Sequence, residues 1–426
     1  MTFQKIKARQ VFDCRGEPTL EVDVSTSIGT FRTSVPSTVD INPNQAHEIR
    51  DGKADYQGRS VFNAVDIVNK EIGPALIRSK LNVTQQRKID ELLNSLDGTK
   101  NKSKLGANTI LGVSVSCCKA GATQKGIPIY RYIAKLAEND RIILPVPYIS
   151  MINGGQFAGN NLPCQEFAIL PTGAQSFAEA MKMATKVYQI LKNKIVDTQE
   201  IKSPLLVSDE GAFAPNLEND RDALTLLNES IIDAGHKFEI KIALDMAASA
   251  FYKEGRYDLA FKKEDSDPAN YLEAEALRNR YLEYLSEFPI ISIEDPFHQG
   301  DWESWLTLAN QNIQIVSDAL TAMNIERIGT AIERNVANCL TLRISQIGTV
   351  TEVIDCAKMA KISNWNYMVS ASRAETEDTF IADLAVGLSA CQLKAGAPCR
   401  GERISKYNRI LQIEEELGRD AIYVAR

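Results

Sequence analysis

Eight short apolar runs in the second half of the chain each carry a polar or charged residue at one end. They are EFAIL at Glu166, LLVSDE at Asp209 and Glu210, KIALD at Asp245, IISIED at Glu294 and Asp295, IQIVSD at Asp318, CLTLR at Arg343, NYMVSASR over Ser370 to Arg373, and QLK at Lys394. In a β/α barrel, catalytic groups come from the C-terminal ends of several different strands, so this pattern predicts an active-site mouth. Asp245, Glu294 and Asp318 follow runs that read as buried strands, where an unpaired charge is costly. A shared divalent cation removes that cost, and an all-oxygen donor set favours Mg²⁺. The discordant residue is Arg343, because a guanidinium stays protonated and cannot act as a base.

Positioning such groups takes strands that alternate with helices. Helical patterns are predicted over Phe177–Ile195, Asp220–Gly235, Ala274–Phe288, Asn324–Arg334, Thr349–Ile362, Thr379–Ala390 and Glu402–Gly418. Eight strands with an outer helical layer fit a barrel better than an open doubly wound sheet. The N-terminal part is organised differently. Over residues 5–36, Leu20, Val22 and Val24 alternate with Glu21, Asp23 and Ser25, and a turn at Ser27-Ile28-Gly29 leads into a further strand, the pattern of an antiparallel hairpin or meander. Helical faces follow at Val61, Val65, Val68 and Ile72 and at Ile89, Leu92, Leu93 and Leu96, and small residues from Gly106 to Gly126 predict a tightly packed helix. The expected class is therefore α/β, with an α+β domain over residues 1–139 and a β/α barrel over 140–426, the crossing falling in ENDRIILPVP.

Composition narrows the function classes. At 426 residues, with 44% hydrophobic and 24% charged residues, the chain is long enough for two globular cores. A formal net charge of −7 argues against a general nucleic-acid binder and leaves room for a local pocket for one small anion. No apolar run approaches the ~20 residues of a membrane span, and the opening MTFQKIKARQ lacks the apolar core of a secretory signal. Cys117, Cys118, Cys339 and Cys356 lie in apolar segments without CxxC spacing and read as buried thiols in a reducing, cytoplasmic compartment. His47, His236 and His298 are the only histidines, so imidazole chemistry has few carriers.

The segments SLDGTKNKSKLGAN (95–108), SIEDPF (292–297), ETEDTFIADL (375–384) and QIEEELG (412–418) together resemble enolase, in matching order along essentially the whole chain. The resemblance implies an N-terminal α+β cap on a barrel that begins with two antiparallel strands. It also implies a cytosolic, usually dimeric protein that interconverts 2-phosphoglycerate and phosphoenolpyruvate with two Mg²⁺ ions. Asp245, Glu294 and Asp318 stand at the family's metal ligands, Glu166 and Glu210 at its acid pair, and Lys394 at the lysine that holds the substrate carboxylate.

The departures from the family pattern cluster. The family's proton-abstracting lysine is Arg343 here, and the segment SHRSGETEDT reads SASRAETEDT, so its histidine is Ala371 and its phosphate-binding arginine is Ser372. Arg373 stands one place later; on a strand it would face the opposite way, so a register shift or bulge is needed for it to replace the lost charge. The lid PSGASTG reads Pro36-Ser37-Thr38-Val39-Asp40-Ile41-Asn42, without its glycines and with Asp40 at the serine that closes on the second metal. A second lid histidine is Phe157. These changes point to a pseudoenolase that binds Mg²⁺ and a small carboxylate or phosphate anion. The alternatives are a working enolase, a Mg²⁺-dependent lyase or isomerase on another carboxylic acid, and a structural or partner-binding protein. A homodimer is expected from the same resemblance.

Overall fold

The computed structural model describes residues 1–39, 41–198 and 205–423. The N-terminal part opens with an antiparallel three-stranded sheet, β1 (Lys5–Phe12), β2 (Pro18–Thr26) and β3 (Gly29–Ser34), in the order β1-β2-β3. Leu20, Val22 and Val24 project from β2 into the core, as their alternation predicts. Against them lies the small-residue helix, Ala107–Gln124, whose approach depends on Gly112: a Cβ there would come within 2.6 Å of Val22 Cγ2. The helix Gln86–Asp97 packs beside it, burying Ile89 and Leu93.

The barrel is closed by β4 (Val146–Asn153), β5 (Glu166–Leu170), β6 (Lys241–Asp245), β9 (Ile290–Glu294), β10 (Gln314–Ser317), β11 (Cys339–Leu342), β12 (Asn366–Ser370) and β13 (Gln392–Gly396). A two-residue ribbon, β7 (Tyr252–Lys253) and β8 (Arg256–Tyr257), lies outside it. β5 runs antiparallel to both β4 and β6, and the remaining barrel neighbours are parallel. The barrel interior is filled by Val146, Tyr148, Ala168, Leu170, Ala243, Val316, Cys339 and Met368. Outer helices fall close to their predicted spans, among them Phe177–Thr198, Ala274–Glu287, Val350–Ile362 and Gly401–Leu417.

One predicted strand is not a strand. LLVSDE forms only an isolated bridge, Val207 to Phe213, and Leu206 is 83% exposed. Gly211 at φ +81° turns the chain back there, with Gly211 N donating to Ser208 O. The eighth strand is β4, which starts in the last two residues of the stretch read as an interdomain crossing; Pro147 disguised it, since proline removes a ladder donor. Cys117, Cys118, Cys339 and Cys356 are buried free thiols. Among the described residues no helix is long and apolar enough to cross a membrane.

The two parts share a polar seam. Asp90, on the helix Gln86–Asp97, accepts from Thr351 N at 3.0 Å and Thr351 Oγ1 at 2.6 Å, at the start of the barrel helix Val350–Ile362. Lys102 pairs with Glu352 at 2.8 Å and Lys119 with Asp378 at 2.6 Å.

Candidate active site

Strand register aligns the carboxylates. Glu166 on β5 pairs with Asp245 on β6, which pairs with Glu294 on β9. Glu166 begins its run instead of ending it, and it still reaches the mouth because β5 runs against its neighbours. Asp318 and Arg343 follow the ends of β10 and β11, and Lys394 stands on β13 opposite Ser370 of β12. Glu166, Asp245, Asp318, Arg343, Ser370 and Lys394 line one cavity of about 510 Å³ at the C-terminal face of the parallel strands, and Glu294 is fully buried beside it against Lys394.

The acidic floor holds cations of the protein's own. Lys394 Nζ lies 2.6 Å from Asp245 Oδ2, 2.8 Å from Glu294 Oε2 and 3.1 Å from Glu166 Oε1, over the ring of Tyr148. Burial pulls the ammonium's pKa down, but Asp245, Glu166 and Glu294 outweigh it and hold it well above its usual range. Arg343 pairs through Nη2 with Asp318 Oδ2, and its Nη1 donates to Ala371 O at 3.0 Å. Asp295, at φ +45°, orients the loop after β10 by accepting from Asp318 N at 3.1 Å and Ala319 N at 2.8 Å.

The acid pair is split by its surroundings. Burial, then the neighbouring Glu210 charge, raises Glu166 to about 7, although Lys394 pulls it down. Burial also opposes ionisation of Glu210, but Arg373 and Arg403 outweigh it and hold that carboxyl below its usual range. One member is thus poised to keep a proton near neutral pH and the other to stay ionised.

Ser372 and Arg373 lie beyond the last residue of β12, so strand alternation does not separate them, and both line the cavity. No bulge is required. Arg373 Nη1 sits 3.7 Å from Glu210 Oε2, and its guanidinium carbon lies 4.3 Å from the centre of the Phe157 ring. Ser372 turns toward the cap, donating from Oγ to Ser37 O at 2.5 Å, while Ser37 N donates to Ala374 O at 3.0 Å. Farther along the lid, Asn42 Nδ2 donates to Ala319 O at 2.9 Å and to Gln299. Asp40 lies outside the described residues.

Arg403 was not anticipated. It is fully buried and clamps three carbonyls, donating to Ser372 O at 2.7 Å, Arg373 O at 2.6 Å and Asp209 O at 3.1 Å. Within a helical pattern its charge reads as solvated, and no spacing signal marks it. Gln165 was also missed; its Nε2 donates to Asp245 Oδ2 at 3.1 Å.

The donor chemistry of this floor fits a hard divalent cation. Carboxylates outnumber cationic side chains at the mouth among the described residues, and Asp318 Oδ1 is buried without a hydrogen-bond partner. Asp245, Glu294 and Asp318 would hold the ion. They are not gathered around one point: no group of three metal-ligating side chains is assembled among the described residues, because Lys394 sits between two of them and Arg343 holds the third.

Two family models match the chain: Enolase, N-terminal domain, over residues 3–133, and Enolase, C-terminal TIM barrel domain, over residues 141–426.

Proposed function

The chain belongs to the enolase family, and on that premise we propose that it is a pseudoenolase, binding Mg²⁺ and a small carboxylate or phosphate anion with little or no lyase turnover. The observation that carries this is Arg343, a guanidinium ion-paired with Asp318 where the family has its proton-abstracting lysine. A guanidinium stays protonated, so it can bind an anion but cannot take the proton α to a carboxylate. Loss of a general base alone commonly costs ~10²–10⁴-fold in rate.

Mg²⁺ bound at the carboxylates would supply positive charge for an enolate-like oxygen. Lys394, Arg343 and Arg373 offer the anion its charge, and Phe157 and the lid exclude water from one side. A working enolase is the second reading, and the observation favouring it is Glu166, raised to about 7 by burial and Glu210, with Lys394 opposing. A group poised there can exchange a proton near neutral pH.

A direct-absorbance assay with 2-phosphoglycerate and Mg²⁺ separates the two. Turnover within the usual enzyme range, about 1–10³ s⁻¹, would overturn the pseudoenolase reading. We expect none above background, and little recovery in Arg343→Lys alone, because Ser372 still stands where the family has its phosphate-binding arginine.

A further inference from the structure

We propose that Arg343 is a resident counter-ion of the acidic floor and that it couples anion binding to divalent-cation binding. The inference rests on the metal-binding reading above and adds to it a linkage built from residues of this chain.

Asp318 is shared unevenly. Its Oδ2 is paired with Arg343, and its Oδ1 is buried without a hydrogen-bond partner. A divalent cation ligated by Asp318 competes directly with that guanidinium for the carboxylate. Arg343 also donates to a neutral carbonyl, Ala371 O, and it lines the cavity that would receive an anion. Lys394 occupies the same position between Asp245 and Glu294.

An anion seated in the cavity gives Arg343 and Lys394 a partner other than the floor, and the carboxylates are released to a metal. A metal on the floor, conversely, releases the two side chains to the anion. Each ligand removes the pairing that opposes the other, so their affinities must rise together by one common factor. Couplings of this kind are typically about 5–150-fold.

The roles of the two cations differ in what can be removed. Lys394 is almost completely buried among three carboxylates, and its loss leaves uncompensated charge. The side chain of Arg343 is 21% exposed and pairs with Asp318, so Arg343→Met takes away that competitor while leaving Asp245, Glu294 and Asp318 in place.

The test is calorimetric titration of Mg²⁺ into the whole chain, with and without sulfate as the anionic probe, for the wild type and Arg343→Met. We expect sulfate to tighten Mg²⁺ binding at least about 5-fold in the wild type. In Arg343→Met, Mg²⁺ alone should bind more tightly than to the wild type, and sulfate should add less than it does in the wild type, the remainder being carried by Lys394. Arg343→Gln, which keeps a polar side chain, serves if the methionine variant fails to fold. Equal Mg²⁺ affinities in wild type and variant, or an unchanged sulfate effect, would overturn the inference while leaving metal binding in place. No Mg²⁺ binding in any folded variant would overturn the metal-binding reading itself, and this linkage with it.

Discussion

Phe157 and Arg373 form a pair across the cavity rim, the ring lying under the guanidinium where the family has a histidine. A cation–π contact of this kind is worth about 0.5–2 kcal/mol, depending on desolvation. We therefore expect Phe157→Ala to let Arg373 wander and to weaken sulfate binding several-fold, with the fold intact by circular dichroism. Unchanged sulfate affinity would show that the Phe157 ring does not hold Arg373 in place. Residues at this scale were legible in proportion to their motifs. Glu166, Asp245, Glu294, Asp318, Arg343 and Lys394 stand at the ends of apolar runs or in family segments; all but Glu294 line the cavity, and Glu294 is buried against Lys394. Arg403 was hidden because a charged residue in an amphipathic helix reads as solvated, and its burial depends on three carbonyls from distant segments. Whether Arg373 faces the site turns on where β12 stops, which alternation alone does not fix.

At the scale of elements, the barrel pattern was readable because charge punctuates apolar runs, and the errors came from turn chemistry and from Pro147. The seam between the two parts rests on long-range contacts that periodicity does not encode. Asp90 is its centre. Burial pushes this carboxyl up to about 6 from an ordinary value near 3.8, although Thr351, Ser114 and Gln86 all donate to it. A carboxyl whose folded-state pKa is raised binds its proton more tightly in the native state. Its contribution is therefore greatest below the unfolded pKa and falls as pH rises from about 4 to 6. Urea unfolding of wild type and Asp90→Asn from pH 4.5 to 7 should show the variant gaining on the wild type as pH rises, by roughly 1–3 kcal/mol. Parallel curves would mean that Asp90 titrates normally. The lid gives a second test at this scale. Ser372→Ala removes the 2.5 Å contact with Ser37 O and should speed exchange of the Ser37 amide hydrogen, which bonds to Ala374 O. Unchanged protection there would assign the lid's order to Asn42 instead.

For the whole molecule, assembly and turnover are the open properties. The resemblance implies an interface that pairs an acid on the hairpin with an arginine in the C-terminal helix, at positions that are Glu21 and Gln412 here, with Arg9 and Glu415 as a second pairing. Glu21 is engaged within its own chain by Arg9 and Ser34. Phe12 and Tyr56, both exposed, stack edge to face on the cap. Exposed apolar surface of this kind suits a subunit contact, and one lost surface ion pair costs only ~1 kcal/mol. We expect a dimer in sedimentation at micromolar concentration, and a monomer there would contradict it. The central claim is that the acidic floor persists without a base able to take the α-proton. It is tested most directly by incubating the protein with 2-phosphoglycerate and Mg²⁺ in D₂O and following the C2 proton by NMR, which detects proton abstraction even where elimination does not follow. We expect a C2 signal that persists with the wild type and is lost slowly with Arg343→Lys. Deuterium entering C2 with the unaltered chain would contradict it and place a working base elsewhere in the cavity.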